Sequence, residues 1–145
     1  MNAEKIPKSF AVQRVFFSSF IVHCSAFLMT FSFPKSHILR GKKRFAEVFQ
    51  TGRRQSRGPL LLISLPNNLS HHRIGIVTPK KVGNAVRRNR VRRQIREAFR
   101  HMQAQFQPPH DFMLIVRPHE PAPLSFYQRL LSDLLSAATG SKISP

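Results

Sequence analysis

The chain has 145 residues, 24 Lys+Arg against 6 Asp+Glu, and a formal net charge of +18. That length is one domain's worth, and with 41% apolar residues it can fold, which excludes a two-core protein and a compositionally disordered basic tail. The cation excess, 16 of the 24 being Arg, points to a polyanion partner, nucleic acid first, and the single cysteine, Cys24, excludes a disulfide framework or a Cys-rich zinc module.

The first thirty residues do not match the rest. Lys5, Lys8 and Arg14 precede an aromatic-rich apolar run from Val15 to Phe33, a pattern like that of a secretory leader. His23 and repeated serines interrupt the run, so it is a poor membrane span. Export of an Arg-rich polyanion binder makes little physical sense, which leaves a targeting segment or translation from Met29. Residues 1–28 are therefore expected to be an N-terminal extension, and residues 29–145 the functional domain.

The segment Gly41 to Gly52 predicts a short helix closed by glycine, with Phe45, Val48 and Phe49 on one face. Arg53 to Arg57 reads as a short edge strand ended by Gly58-Pro59, and Leu60 to Leu65 as a buried strand. Turn chemistry from Pro66 to Ser70 precedes a strand from Arg73 to Thr78, so a hairpin between these two strands is expected. Asn84 is a good N-cap for a helix running to about Gln105, which Pro108-Pro109 ends. A strand from Asp111 to Val116 follows. The last helix, Ser125 to Ala138, carries Tyr127, Leu130, Leu131, Leu134, Leu135 and Ala138 as its apolar stripe, with Gly140 at its end. The expected class is α+β: one small four-stranded sheet with three helices packed on it.

The basic helix carries most of the functional information. Between Lys80 and Arg100 stand nine cations and one acid, Glu97. Val91, Ile95, Ala98, Phe99 and Met102 gather on one arc of about 100°, as a packed helix requires. Asn89, Arg90, Arg92, Arg93, Arg96 and Arg100 occupy the other side. A merely solvated face mixes signs for i, i+4 pairing, whereas here only Glu97 can pair, with Arg93 or Arg100. Arg87, Arg88 and Arg90 also crowd the positive end of the helix dipole, at a cost of a few tenths of a kcal/mol up to about 1 each. A local cost with no local gain implies an absent anion, and phosphates fit.

The stretch Lys80-Lys81-Val82-Gly83-Asn84-Ala85-Val86-Arg87-Arg88-Asn89-Arg90 and its continuation to Arg100 resembles the signature of the bacterial ribonuclease P protein component. Pro34-Lys35-Ser36-His37-x-Leu39-Arg40, Arg44-Phe45-x-x-Val48-Phe49-x-x-Gly52 and Arg73-Ile74-Gly75 match the same family upstream, and the likeness runs from about Phe33 to Ala138. The resemblance implies the protein subunit of an RNA-based endonuclease, in which a catalytic RNA with bound Mg2+ removes the 5′ leader of precursor tRNA. It implies a small α/β sandwich with a left-handed strand–helix–strand crossover, and a bacterial cytoplasmic location with no membrane partner. It places Lys80, Lys81, Arg87, Arg88, Asn89, Arg90, Arg92, Arg93 and Arg96 against the catalytic RNA. Phe45 and Phe49 would help line a leader-binding cleft, which Ile63 would also face. That cleft is physically reasonable, because single strands are gripped by aromatic stacking along a cationic track.

Nothing points to catalysis or metal binding by the protein itself. The six acids are scattered, and His71-His72 lack metal-ligand spacing and read as surface loop. The alternatives are a small ribosomal protein that binds rRNA, and a DNA-binding module. Against the latter, no helix-turn-helix spacing is present.

Overall fold

The computed structural model describes residues 33–140. The apolar run before Phe33, Cys24 and the expected start at Met29 lie outside the described residues. Within them the elements are α1 (Lys42–Thr51), β1 (Arg53–Arg57), β2 (Leu60–Pro66), β3 (Arg73–Val77), α2 (Ala85–Met102), β4 (His110–Val116) and α3 (Leu124–Thr139). This is the expected set of three helices and four strands.

Local chemistry sets the boundaries. The Asn84 carboxamide oxygen accepts from the Arg87 N–H at 2.9 Å, the side-chain cap that starts α2. A single 3-10 turn, Gln103–Gln105, continues α2 to the expected limit. Gly140 sits at φ 71 after α3, the left-handed conformation that costs glycine least. Gly52 closes α1 for a different reason. Its φ is −70, but a Cβ there would lie 2.4 Å from the Val48 carbonyl oxygen and 2.6 Å from Ile63 Cγ2. Only a residue without a side chain lets the chain leave α1 so close to β2.

The strand order is β1-β2-β4-β3. β1 and β2 form an antiparallel hairpin through Gly58-Pro59, β2 and β4 are antiparallel, and β3 and β4 are parallel neighbours joined by the α2 crossover. The expected hairpin between β2 and β3 is therefore wrong, because β4 lies between them. β4 is buried everywhere except at Ile115, whereas β3 ends in exposed Val77. The strand that is apolar on both faces takes the centre, and the half-polar one takes an edge.

Alternation along the strands feeds two cores. On one face Leu60, Leu62, Ile74, Phe112, Leu114 and Val116 pack against Val91, Ile95, Phe99 of α2 and Tyr127, Leu131, Leu135 of α3. All five residues of the expected apolar arc on α2 are buried. On the other face a smaller cluster joins Val48 of α1 to Leu39, Ile63 and Met113. Each fully buried aliphatic here contributes about 1.5–3 kcal/mol of transfer free energy. Among the described residues, no helix is long and apolar enough to cross a membrane.

Candidate nucleic-acid interface

With its apolar arc on the sheet, α2 turns Asn89, Arg90, Arg93 and Arg96 outward, all exposed, while Arg87, Arg88 and Arg92 are half-buried. Lys80 and Lys81 are exposed on the 3-10 turn leading into the helix. Two of the expected cations are not on the open face. Arg87 donates to the His119 carbonyl and lies along Gly83, where a Cβ would come within 2.7 Å of its Cδ. Arg100 is held by Glu97, which also meets His101 at 2.8 Å. Burial pushes the Glu97 carboxyl up, but the bonds from His101 and Arg100 outweigh it and hold it below the usual range. The only acid on α2 is thus consumed at its C-terminal end, and the Asn89–Arg96 face keeps one sign.

One residue of this face was not singled out in the sequence. Val86 is 76% exposed, and with Asn89, Arg90, Arg93 and Gln94 it lines a shallow groove of ≈ 360 Å³. An apolar side chain among arginines suits the face of a base better than it suits water. The available signal was its place outside the α2 core arc.

The second expected site lies on the opposite face of the sheet. Register places two rows of side chains across this face: Arg54–Ile63–Met113–Gly75, and next to it Ser56–Leu61–Ile115–Val77. α1 covers the first row. The second stays half open, with Leu61 and Ile115 half-buried and Val77 36% exposed. The two phenylalanines play different parts. Phe45 sits directly on β3, so close that a Cβ on Gly75 would be 2.4 Å from its ring, and it is half-buried. Phe49 is 46% exposed, with the Arg54 guanidinium 4.8 Å above its ring centre. Ile63, expected to face the cleft, lies on this side of the sheet but is fully buried beneath α1. Its branched side chain fills the gap under Val48 and leaves nothing for a ligand to touch.

On the other side of the α1-covered row from the open one, a buried carboxylate fixes α1. Asp111, fully buried at the start of β4, accepts from Arg73 of β3 at 2.7 and 2.5 Å, from Arg44 of α1 at 2.6 Å and from Asn67 of the β2–β3 loop at 2.8 Å. Burial raises the Asp111 pKa, yet the bonds from Arg73, Asn67 and Arg44 outweigh it and hold the carboxyl below its ordinary range. Arg44 is raised, chiefly by its bond to Asp111. Among scattered acids this role had no sequence signal, because its partners lie 38 to 67 residues away.

The surface-loop expectation for His71-His72 holds only for His71, which is partly exposed and stacks on His37 at 4.5 Å. His72 is buried against Phe112 and Phe99. Its Nδ1 accepts from the His110 N–H at 3.0 Å, so its Nε2 carries the proton donated to the Phe106 carbonyl at 2.9 Å. Two backbone groups need a two-ended partner there, which a neutral imidazole supplies.

A one-signed helix face on one side of a small mixed sheet, and a half-open apolar cleft on the other, define a nucleic-acid-binding α+β domain. Comparison with known proteins is consistent across the described residues. The Ribonuclease P family profile matches residues 33–139. The chain is 38% identical over 94 residues to the ribonuclease P protein component of Roseiflexus sp. (strain RS-1), covering 65% of this chain and 77% of that one. Among solved structures, it resembles the Thermotoga maritima RNase P protein with a TM-score of 0.64 at 27% identity, covering 69% of this chain and 96% of that one. The Staphylococcus aureus RNase P protein gives 0.65 at 27% identity, covering 72% and 96%. The chain belongs to the ribonuclease P protein family, the protein components of a ribonuclease that processes tRNA. The ribosomal-protein alternative finds no support in these relatives.

Proposed function

We propose that this protein assists a catalytic ribonuclease P RNA in removing the 5′ leader of precursor tRNA, in a bacterial cytoplasm. In this reading Lys80, Lys81, Arg88, Asn89, Arg90, Arg92, Arg93 and Arg96 meet the RNA, with Arg87 holding the helix start in place. Phe49, seated beside Phe45, meets the leader. The observation that carries the proposal is the one-signed face of α2, whose only acid is paired at the far end. The magnesium of the reaction belongs with the RNA. Asp111 is fully buried among Arg44, Arg73 and Asn67, and Glu97 already takes Arg100 and His101 on one carboxylate oxygen. Among the described residues no group of three His, Cys, Asp or Glu could hold a metal ion. The protein's part is then to screen phosphate repulsion and to position substrate, while the RNA supplies the chemistry.

The test is the salt dependence of binding to a bacterial ribonuclease P RNA, with Arg90→Ala and Arg93→Ala combined. Both side chains point away from the core, so the variant should melt with the wild type. Its log–log slope against salt should flatten by about 0.7–0.9 for each phosphate that the variant leaves unneutralised. An unchanged slope in a folded variant would remove α2 as the RNA-binding element.

A further inference from the structure

The sheet offers the cleft no ring: Ile63 is buried, and no aromatic residue stands in the open Ser56–Leu61–Ile115–Val77 row. Across the hairpin from Ile63, in register on the edge strand, stands Arg54. Its guanidinium lies 4.8 Å over the Phe49 ring, and one of its Nη2 N–H groups donates to the Phe49 carbonyl at 2.9 Å. The side chain is exposed, and among the described residues it has no carboxylate partner. Guanidinium has five donors and a planar surface, and this one commits a single bond to its own protein. The anchoring bond and the ring beneath already restrict its rotamers, so little order remains to be imposed when a ligand arrives.

We propose that Arg54 binds the single-stranded 5′ leader, its guanidinium over Phe49 taking one leader base on its outward side and the adjoining phosphate on its remaining N–H groups. Arginine planes serve as stacking platforms for unpaired bases in the way aromatic rings do. The assignment rests on the leader-binding reading above and extends it to the edge strand. A purely structural role is the competitor, since the bond to Phe49 also caps the C-terminal end of α1. A lysine could make that bond and keep the charge, but it has no plane.

The test uses holoenzyme reconstituted from the full chain and a bacterial ribonuclease P RNA. Affinity is measured for fluorescent precursor tRNAs with short and long leaders and for mature tRNA. Arg54→Ala should weaken the long-leader substrate by about 5- to 30-fold and leave mature tRNA unchanged. Arg54→Lys should recover only a minor part of that loss. Equal weakening on mature tRNA, full recovery by lysine, or a drop in melting temperature that tracks the affinity loss would each overturn the assignment. If the wild type itself gains no affinity from a leader, the leader reading falls and the assignment falls with it. If the wild type gains and Arg54→Ala gains equally, only Arg54 is excluded.

Discussion

Replacing Asp111 with Asn removes the charge that joins α1, β3 and the β2–β3 loop to β4; Arg44 keeps Glu47 at 2.9 Å, but Arg73 loses its carboxylate and the two guanidinium groups lose the anion they share. Breaking a buried pair by deleting one partner costs about 3–5 kcal/mol when the survivor stays enclosed. Here the side chains of Arg44 and Arg73 are 27% and 25% exposed, so water can recover part of their solvation. A loss of about 2–3 kcal/mol is the consistent expectation, against total stabilities of about 5–15 kcal/mol for domains in general. For a domain near this size that lowers the melting temperature by roughly 10–20 °C. The pH dependence supplies a second, independent readout. Because the folded Asp111 pKa is depressed, its contribution is complete above the unfolded carboxyl value, about 3.9, and is lost as pH falls through the lower folded value. Thermal melts of wild type and Asp111→Asn by circular dichroism should therefore differ widely at neutral pH and converge in strong acid. A variant that melts with the wild type at neutral pH would refute the argument, as would a gap that stays constant into acid.

The two phenylalanines should separate. Phe45→Ala empties the space above Gly75 and should cost about 2 kcal/mol in urea denaturation, less than a fully buried Phe because part of the ring already meets water. Phe49→Ala should cost under about 1 kcal/mol but weaken long-leader substrates, and a Phe49 variant that loses only stability would assign that ring to the core. His72→Phe keeps a ring of similar size and orphans the His110 N–H and the Phe106 carbonyl, at about 1–3 kcal/mol each by chemical denaturation. Burial holds the His72 pKa below its ordinary value, with His110 and His37 adding repulsion when charged. Its contribution is full above about pH 6.5 and falls as pH drops through the lower folded value, a decline the variant should lack.

Features written in short-range pattern were legible. The Asn84 cap, the buried arc of α2, the stripe of α3 and the exposed arginines all follow from helical spacing, which neighbours within a few turns determine. Strand pairing was not legible. Turn residues from Pro66 to Ser70 suggested β2 and β3 as partners, but pairing depends on which strand can be buried on both faces, and that strand, β4, arrives some thirty residues later. Long-range polar bonds were equally hidden. Nothing near Asp111 or His72 in sequence announces the arginines or backbone groups that satisfy them. The helix pattern put Phe45 and Phe49 on one face, but only the β3 backbone at Gly75 and the guanidinium of Arg54 tell the seated ring from the open one.

The central claim is that the protein acts through an RNA that does the chemistry. It is tested most directly by cleavage of a precursor tRNA by a bacterial ribonuclease P RNA at low magnesium and moderate salt, with and without this protein. Protein alone should leave the precursor intact, RNA alone should cut poorly, and the two together should cut efficiently at the mature 5′ end. A protein that binds the RNA and leaves its cleavage rate unchanged, or one that cuts the precursor unaided, would contradict the account.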